Sequence, residues 1–462
     1  MDKDVVINEA TRLADIIINK YSGKNGLLYS LIDASTGRIL SRKSFIDDLG
    51  DYVQNFAWLG KVTNNQKYID WSINQVRLCD QLAFTKYNIF NHKITADQIK
   101  AKLNPTTSLY PSSSGDIITG LTCLYSITEN QYILNIAKKL VEGIKKSLKR
   151  NQIPRFFFPK LCLYAPITSP DVTGNVTEEL VNLYYFTKNE KYIEFSKTLL
   201  EPWIKDKYFL EHGLFPSKKL IYADNFFGKN AFNLFLKLAG IKMMNITSMI
   251  KHNTNMIYGM LNIYKANPDK RLKNLIETWL NSVEEKLLTD DGFYSMWNGS
   301  SRKGFYISLA NNHAIIDAFL ESYLLFKDKK YLRIVEDVTK KWLDRQSRIG
   351  LFPESPDNPD ESRRVKLDPN TDFMVLLLKI YEATRNKKYM KSALSCLEGI
   401  LKYHKTDNGL IWATDSETGK VICSTMHVKF LTLFLKALLT TCTVLSKKRI
   451  LEPKIKILTR DR

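Results

Sequence analysis

What this chain has little of narrows its possibilities first. It has six cysteines in 462 residues, at positions 79, 123, 162, 396, 423 and 442, none in a C-x-x-C pair and none near a histidine at metal-ligand spacing. That pattern excludes a disulfide scaffold and a zinc module, and it reads as reduced, mostly buried thiols in a cytoplasmic protein. No run of eighteen uncharged apolar residues occurs: the nearest, Val428–Leu445, is interrupted by Lys429 and Lys436. The N-terminus alternates acids and apolar residues instead of carrying an apolar leader core. Histidines number only six. There is no G-x-x-x-x-G-K-[ST], no G-x-G-x-x-G after a strand, no H-E-x-x-H and no G-x-S-x-G, so nucleotide, dinucleotide, zinc-protease and serine-hydrolase chemistry lack a motif.

What is present is an ordinary globular composition, 44% hydrophobic and 25% charged, with a formal charge of +20 and a pI near 9.4. The basic clusters (Lys138-Lys139, 145–150, Lys340-Lys341 and 447–449) fall on amphipathic segments or in the tail. They read as solvated faces, which makes nucleic acid an unlikely partner.

One signature organises the chain: an apolar helix ending in an aromatic, a polar turn, then Lys-Tyr-Ile or a relative. It recurs from Thr63, Thr128, Thr187, Asn267, Lys327 and Thr384 at intervals of 57 to 65 positions, with one interval of 80. A period of that size predicts an array of helical hairpins. The second helix of each unit is amphipathic, as in Tyr389, Met390, Ala393, Leu394, Leu397 and Ile400 with Lys387, Lys388 and Lys391 opposite, and belongs to an outer layer. The first is apolar nearly all round (373–381, 314–326 and 180–186) and belongs to a buried inner layer. Between hairpins, Gly followed by two apolar residues recurs at Gly26, Gly213, Gly292, Gly350 and Gly409, predicting tight turns and an aromatic rim. The N-terminal helix, about 4–19, is placed to close a ring against the last inner helix.

With these hairpin turns and G-L-F-P rim segments, residues 5–445 resemble the six-hairpin glycosidase-like superfamily of α/α toroids, which includes unsaturated glucuronyl hydrolases and N-acylglucosamine 2-epimerases. The resemblance implies an all-α (α/α)6 or (α/α)7 toroid over 1–446, with 447–462 as a basic C-terminal tail. It also implies a carbohydrate substrate; the charge of +20 adds a modest attraction toward acidic glycans. No cofactor, metal or membrane is expected; oligomeric state and sugar identity are not readable.

The starts of the inner helices carry the polar residues that chemistry would need. Glycosidic cleavage uses two carboxyl groups, one protonated and one ionised. Asp48 or Asp51, crowded with Asp47 at one helix start, is expected to pair with Glu179 or Asp372. Asp48 and Tyr52 stand at i, i+4 on that helix. Asn175-Val176-Thr177-Glu178 has capping-box spacing, which assigns Glu178 a structural role and leaves Glu179 free of it. An alternative pair, His313 and His427, each at an inner-helix start, suits sugar epimerisation by proton removal and return. A third reading is a toroid that binds a glycan or protein without catalysis. Tyr52, Trp297, Trp412, Phe226 and Asn312 are the candidate sugar-binding residues.

Overall fold

The computed structural model describes residues 2–97, 109–158, 163–165, 167–221 and 247–446. Phe226, Asp224, Cys162 and the tail 447–462 lie outside the described residues. Fifteen α-helices occur among the described residues, and fourteen of them form two concentric rings. The inner ring is α2 (Leu49–Thr63), α4 (Ser114–Thr128), α6 (Pro170–Thr187), α9 (Ile250–Ala266), α11 (Leu309–Phe326), α13 (Leu367–Thr384) and α15 (Val428–Leu445). The outer ring is α1 (Lys3–Tyr21), α3 (Gln66–Ala83), α5 (Gln131–Ser147), α7 (Lys191–Ile204), α10 (Lys270–Leu287), α12 (Lys329–Leu343) and α14 (Lys387–Tyr403). The short α8 (Lys207–His212) follows α7. Each inner helix packs on the next, α15 packs on α2, and α1 packs on α15, so the described ring has seven hairpins. Its rim is also sutured by strands: Leu31–Asp33 pairs with Thr425–His427, joining the two ends of the chain.

Local chemistry explains why the signature repeats. Five inner helices end on a single left-handed residue (Asn64, Glu129, Lys188, Lys327 and Arg385, φ 52 to 60°). An Asn or Asp then caps the outer helix: Asn65, Asn130, Asp328 and Asn386 each accept a backbone N–H two residues on. The tyrosine that follows staples neighbouring outer helices. Tyr68 donates to Asp15 at 2.9 Å and Tyr132 to Asp80 at 2.7 Å. All five rim glycines that the spacing singled out have φ between 66 and 126°, a region costly for any residue with a Cβ.

The apolar core fills the annulus between the rings, where Trp203, Trp279 and Trp342 are fully buried. Val428–Leu445 is long and apolar enough to cross a bilayer, yet two-thirds of it is buried as an inner helix of this ring. The inner helices are not apolar on every side, contrary to the expectation from 373–381 and 314–326. Each contributes at least one charged side chain to the wall of a central cavity. Close approach between inner helices depends on small residues. A Cβ on Gly174 would lie 2.3 Å from the Asn255 backbone on the adjacent helix.

Candidate active site

The ring encloses a cavity of about 460 Å³, and all seven inner helices contribute to its wall. Near the helix N-termini the wall carries Asp51, Asp116, His313, Asp372 and Lys429, with Glu178 two turns into its helix. Deeper it carries Tyr258, Lys265, Asp317, Glu321, Lys379 and Lys436. Asn255 and Lys265, both on α9, are ten residues apart, so at 1.5 Å per residue the cavity is about 15 Å deep.

At the mouth, the α2 start and the α15 start meet. Lys429 Nζ lies 3.0 Å from Asp51 Oδ2 and 3.4 Å from Asp48 Oδ1. The attraction of Asp51, with that of Asp48, outweighs burial and holds the Lys429 ammonium well above its usual range. Asp48 itself is buried, and burial, with crowding by Asp47 and Asp51, outweighs Lys429 and raises its carboxyl to about 7. Tyr52 donates to Asp48 at 3.4 Å, at the expected i, i+4 spacing. Neither Asp48 nor Tyr52 belongs to the cavity wall. His427 Nε2 is 3.7 Å from Asp48. Its Nδ1 accepts the Lys429 backbone N–H at 3.3 Å, so His427 caps its own helix and stands behind the wall.

Two helices round the ring, His313 Nε2 lies 3.6 Å from Asp372 Oδ2, and both line the cavity. Burial, against the opposing charge of Asp372, lowers the His313 pKa and so favours the neutral ring. Beside them, Trp412 Nε1 donates to Asp368 at 3.1 Å. Burial, followed by the charge on Asp372, raises the Asp368 carboxyl. Burial, with Asp368 and Glu361, raises Glu354 to about 7 against the opposing Lys366 and Lys251. Glu354 Oε2 is buried without a hydrogen-bond partner.

The cavity's deep end is a network of ion pairs. Lys379 contacts Asp317 at 2.6 Å and Glu321 at 3.2 Å. Lys265 reaches Glu321 at 3.3 Å, and Tyr258 donates to Asp317 at 3.0 Å. Although burial opposes it, Lys379 and Lys265 hold the Glu321 carboxyl below its usual range.

Several expectations are corrected. Glu179 is buried and accepts from Asn182 at 2.7 Å; its neighbour Glu178 is the residue on the wall. The capping-box assignment fails because α6 begins at Pro170, which places Glu178 two turns inside the helix. Asn312 does not face the mouth. Its Oδ1 accepts the Phe293 N–H at 2.7 Å, and its amide donates to the Phe293 and Ser308 carbonyls, both at 2.9 Å. Asn253 and Asn370 clasp Phe215 and Phe352 in the same way, so this asparagine is a repeated strut between inner helix and rim. Trp297 is only 6% exposed, in strand Gly292–Asn298, and offers no open face. Trp412 is half-buried at the mouth. Sequence reasoning missed Lys429, Asp317, Glu321 and Lys379. Their signal was one or two charges within an otherwise apolar inner segment.

Among the described residues no group of three or more His, Cys, Asp or Glu side chains is arranged to hold a metal ion. No family model matches the sequence, and no curated protein matches it significantly. Solved structures do. An α-1,2-mannosidase from Trichoderma reesei superposes with TM-score 0.64 at 11% identity, covering 94% of this chain and 92% of the mannosidase. The chain has the α/α-toroid fold. A D-mannose isomerase (TM-score 0.59, 10% identity, 95% and 98% covered) and the cellobiose 2-epimerase of Bacillus thermoamylovorans (0.56, 11%, 94% and 99%) share this toroid.

Proposed function

We propose that this chain is a carbohydrate-active enzyme, a glycoside hydrolase that works with carboxyl groups at the mouth of the central cavity. The observation that carries this reading is that Asp51 and Asp372, from helices separated in the ring only by α15, line one cavity. Acid–base cleavage needs one ionised carboxylate and one group that retains a proton. Asp51, 3.0 Å from the Lys429 ammonium, is assigned the first role. Glu354 and Asp368, whose carboxyls burial and neighbouring acids raise, stand beside Asp372 as the source of the second. Trp412 at the edge gives an apolar face for a sugar ring, and Asn175, Asn255 and Asn262 on the wall can bond hydroxyls.

The fold neighbours support the substrate class: by name they are a mannosidase, a mannose isomerase and a cellobiose epimerase. Epimerisation is the second reading, favoured by His313 with Asp372 on the cavity wall, though His427 is occupied as a helix cap. The test is a screen of purified protein against aryl glycosides, unsaturated uronides and free disaccharides, with product analysis by NMR. Release of an aglycone supports hydrolysis. Conversion of a disaccharide without cleavage transfers the site to epimerisation. A folded sample that does neither overturns the enzymatic reading.

A further inference from the structure

A ladder of half-buried rings crosses the mouth on the side of the first three hairpins. From His427 it steps to Phe45 (centroids 5.6 Å apart), to His92 (5.5 Å), to Tyr110 (4.3 Å), to Phe156 (5.6 Å) and to Phe158 (5.5 Å). These residues come from five separate rim segments, so no single element requires their alignment. Its inner end lies behind the cavity wall and touches it through buried contacts. His427 contacts Asp48, and Asp48 shares Lys429 with the cavity-lining Asp51.

The ladder is flanked by cations. Strand Lys43–Phe45 pairs with strand Lys93–Thr95, setting Lys93 opposite Phe45 with its ammonium 5.4 Å from the ring centroid. Burial and the neighbouring Lys43 lower the Lys93 pKa, as two close ammonium groups require. Both lysines are exposed, and neither makes an ion pair among the described residues; Arg155, next to Phe156, is exposed too. Within the ladder, Asp47 Oδ1 lies 3.1 Å from His92 Nδ1.

We propose that this ladder is an extended subsite that holds an anionic sugar chain, rings against pyranose faces and lysines against acidic substituents, as the chain enters the cavity. The proposal rests on the carbohydrate reading of the cavity and adds to it the charge and length of the ligand. Aromatic rings favour the apolar face of a sugar, and free ammonium groups at their edges favour carboxylate or sulfate substituents. Single-stranded nucleic acid also combines stacking with cations. Three cations are few for tracking a phosphate backbone.

The experiment is calorimetric titration of the whole chain with galacturonate oligomers of one, three and six units, with cellohexaose as the neutral analogue and a dT12 oligonucleotide as the nucleic acid. Affinity is expected to rise with uronate length. Tyr110→Ala and Phe156→Ala should each weaken hexamer binding about 3- to 10-fold and leave the monomer unchanged, while Tyr110→Phe and Phe156→Tyr retain affinity. The Lys43→Gln/Lys93→Gln double variant, which spares the rings, should weaken the uronate hexamer and not cellohexaose. Equal affinity at all lengths, indifference to these variants, absence of binding, or tighter binding of dT12 than of the hexamer would each overturn the proposal. Turnover of aryl glycosides is read separately. Turnover without length dependence overturns the subsite alone, and length-dependent binding without turnover overturns only the catalytic reading.

Discussion

Asn370 offers a sharp test of how the rim is held over the cavity. Its side chain bonds three backbone groups: Oδ1 accepts the Phe352 N–H at 2.8 Å (and the Cys396 thiol at 3.7 Å), and the amide donates to the Phe352 carbonyl at 2.8 Å and to the Lys366 carbonyl at 3.0 Å. Asn370→Ala removes all three and leaves the Phe352 N–H and C=O without these partners in a dry site. An unsatisfied buried group costs about 1–3 kcal/mol, so the loss should be about 3 kcal/mol, plus a smaller contribution from the void. Asn370→Asp should cost at least as much, because its second oxygen would face two carbonyls. The assay is urea unfolding followed by tryptophan fluorescence, with Trp342 and Trp412 close to the perturbed rim. Asn311→Ala, which removes only a bond to Ser308, is the control and should shift stability by less than about 1 kcal/mol. An Asn370→Ala protein within about 0.5 kcal/mol of wild type would refute the strut.

Three further outcomes follow from the charged groups. Asp48 has a folded-state pKa raised to about 7, so it favours the folded state below its unfolded pKa near 4, and that contribution is lost as pH rises through about 7. Asp48→Asn should therefore gain on wild type by about 2–4 kcal/mol between pH 4 and pH 8; a difference independent of pH in parallel melts would contradict this. Lys379→Met leaves Asp317 and Glu321 short of their shared cation and should destabilise by about 3–5 kcal/mol, measured by urea unfolding. Adding Asp317→Asn and Glu321→Gln to Lys379→Met should recover much of that loss, whereas further destabilisation would show that the network acts through packing. Gly174→Ala should weaken α6–α9 contact by about 1–3 kcal/mol as an overpacking substitution, seen as a lower melting temperature. An unchanged melt would mean that the helices can separate freely.

Much of the architecture was legible because each repeat needs the same local chemistry. A left-handed residue, an Asn or Asp cap and a stapling tyrosine must fall at fixed offsets, and a glycine must open each rim turn. Those requirements survive in the letters at Asn64-Asn65 and Arg385-Asn386. The struts were legible in principle too: Asn253, Asn312 and Asn370 stand 59 and 58 positions apart (312 − 253 and 370 − 312), each the fourth residue of its inner helix. Read singly, Asn312 resembled a sugar ligand. The site was less legible because its geometry depends on rotation within each inner helix. Glu178 and Glu179 are neighbours in sequence, yet about 100° of helical turn sends one to the cavity and the other into the packed wall. His427 was misread for a related reason: a helix-start histidine can satisfy its own backbone, and here it does.

The most direct test of the central claim is the comparison of kcat/KM, on whichever glycoside the screen identifies, among wild type, Asp51→Asn and Asp372→Asn. Both carboxyls line the cavity, and loss of an acid–base group costs about 10²- to 10⁴-fold. The account predicts a fall of at least about 100-fold for each variant, with circular dichroism unchanged. Wild-type-like turnover in either folded variant would contradict it.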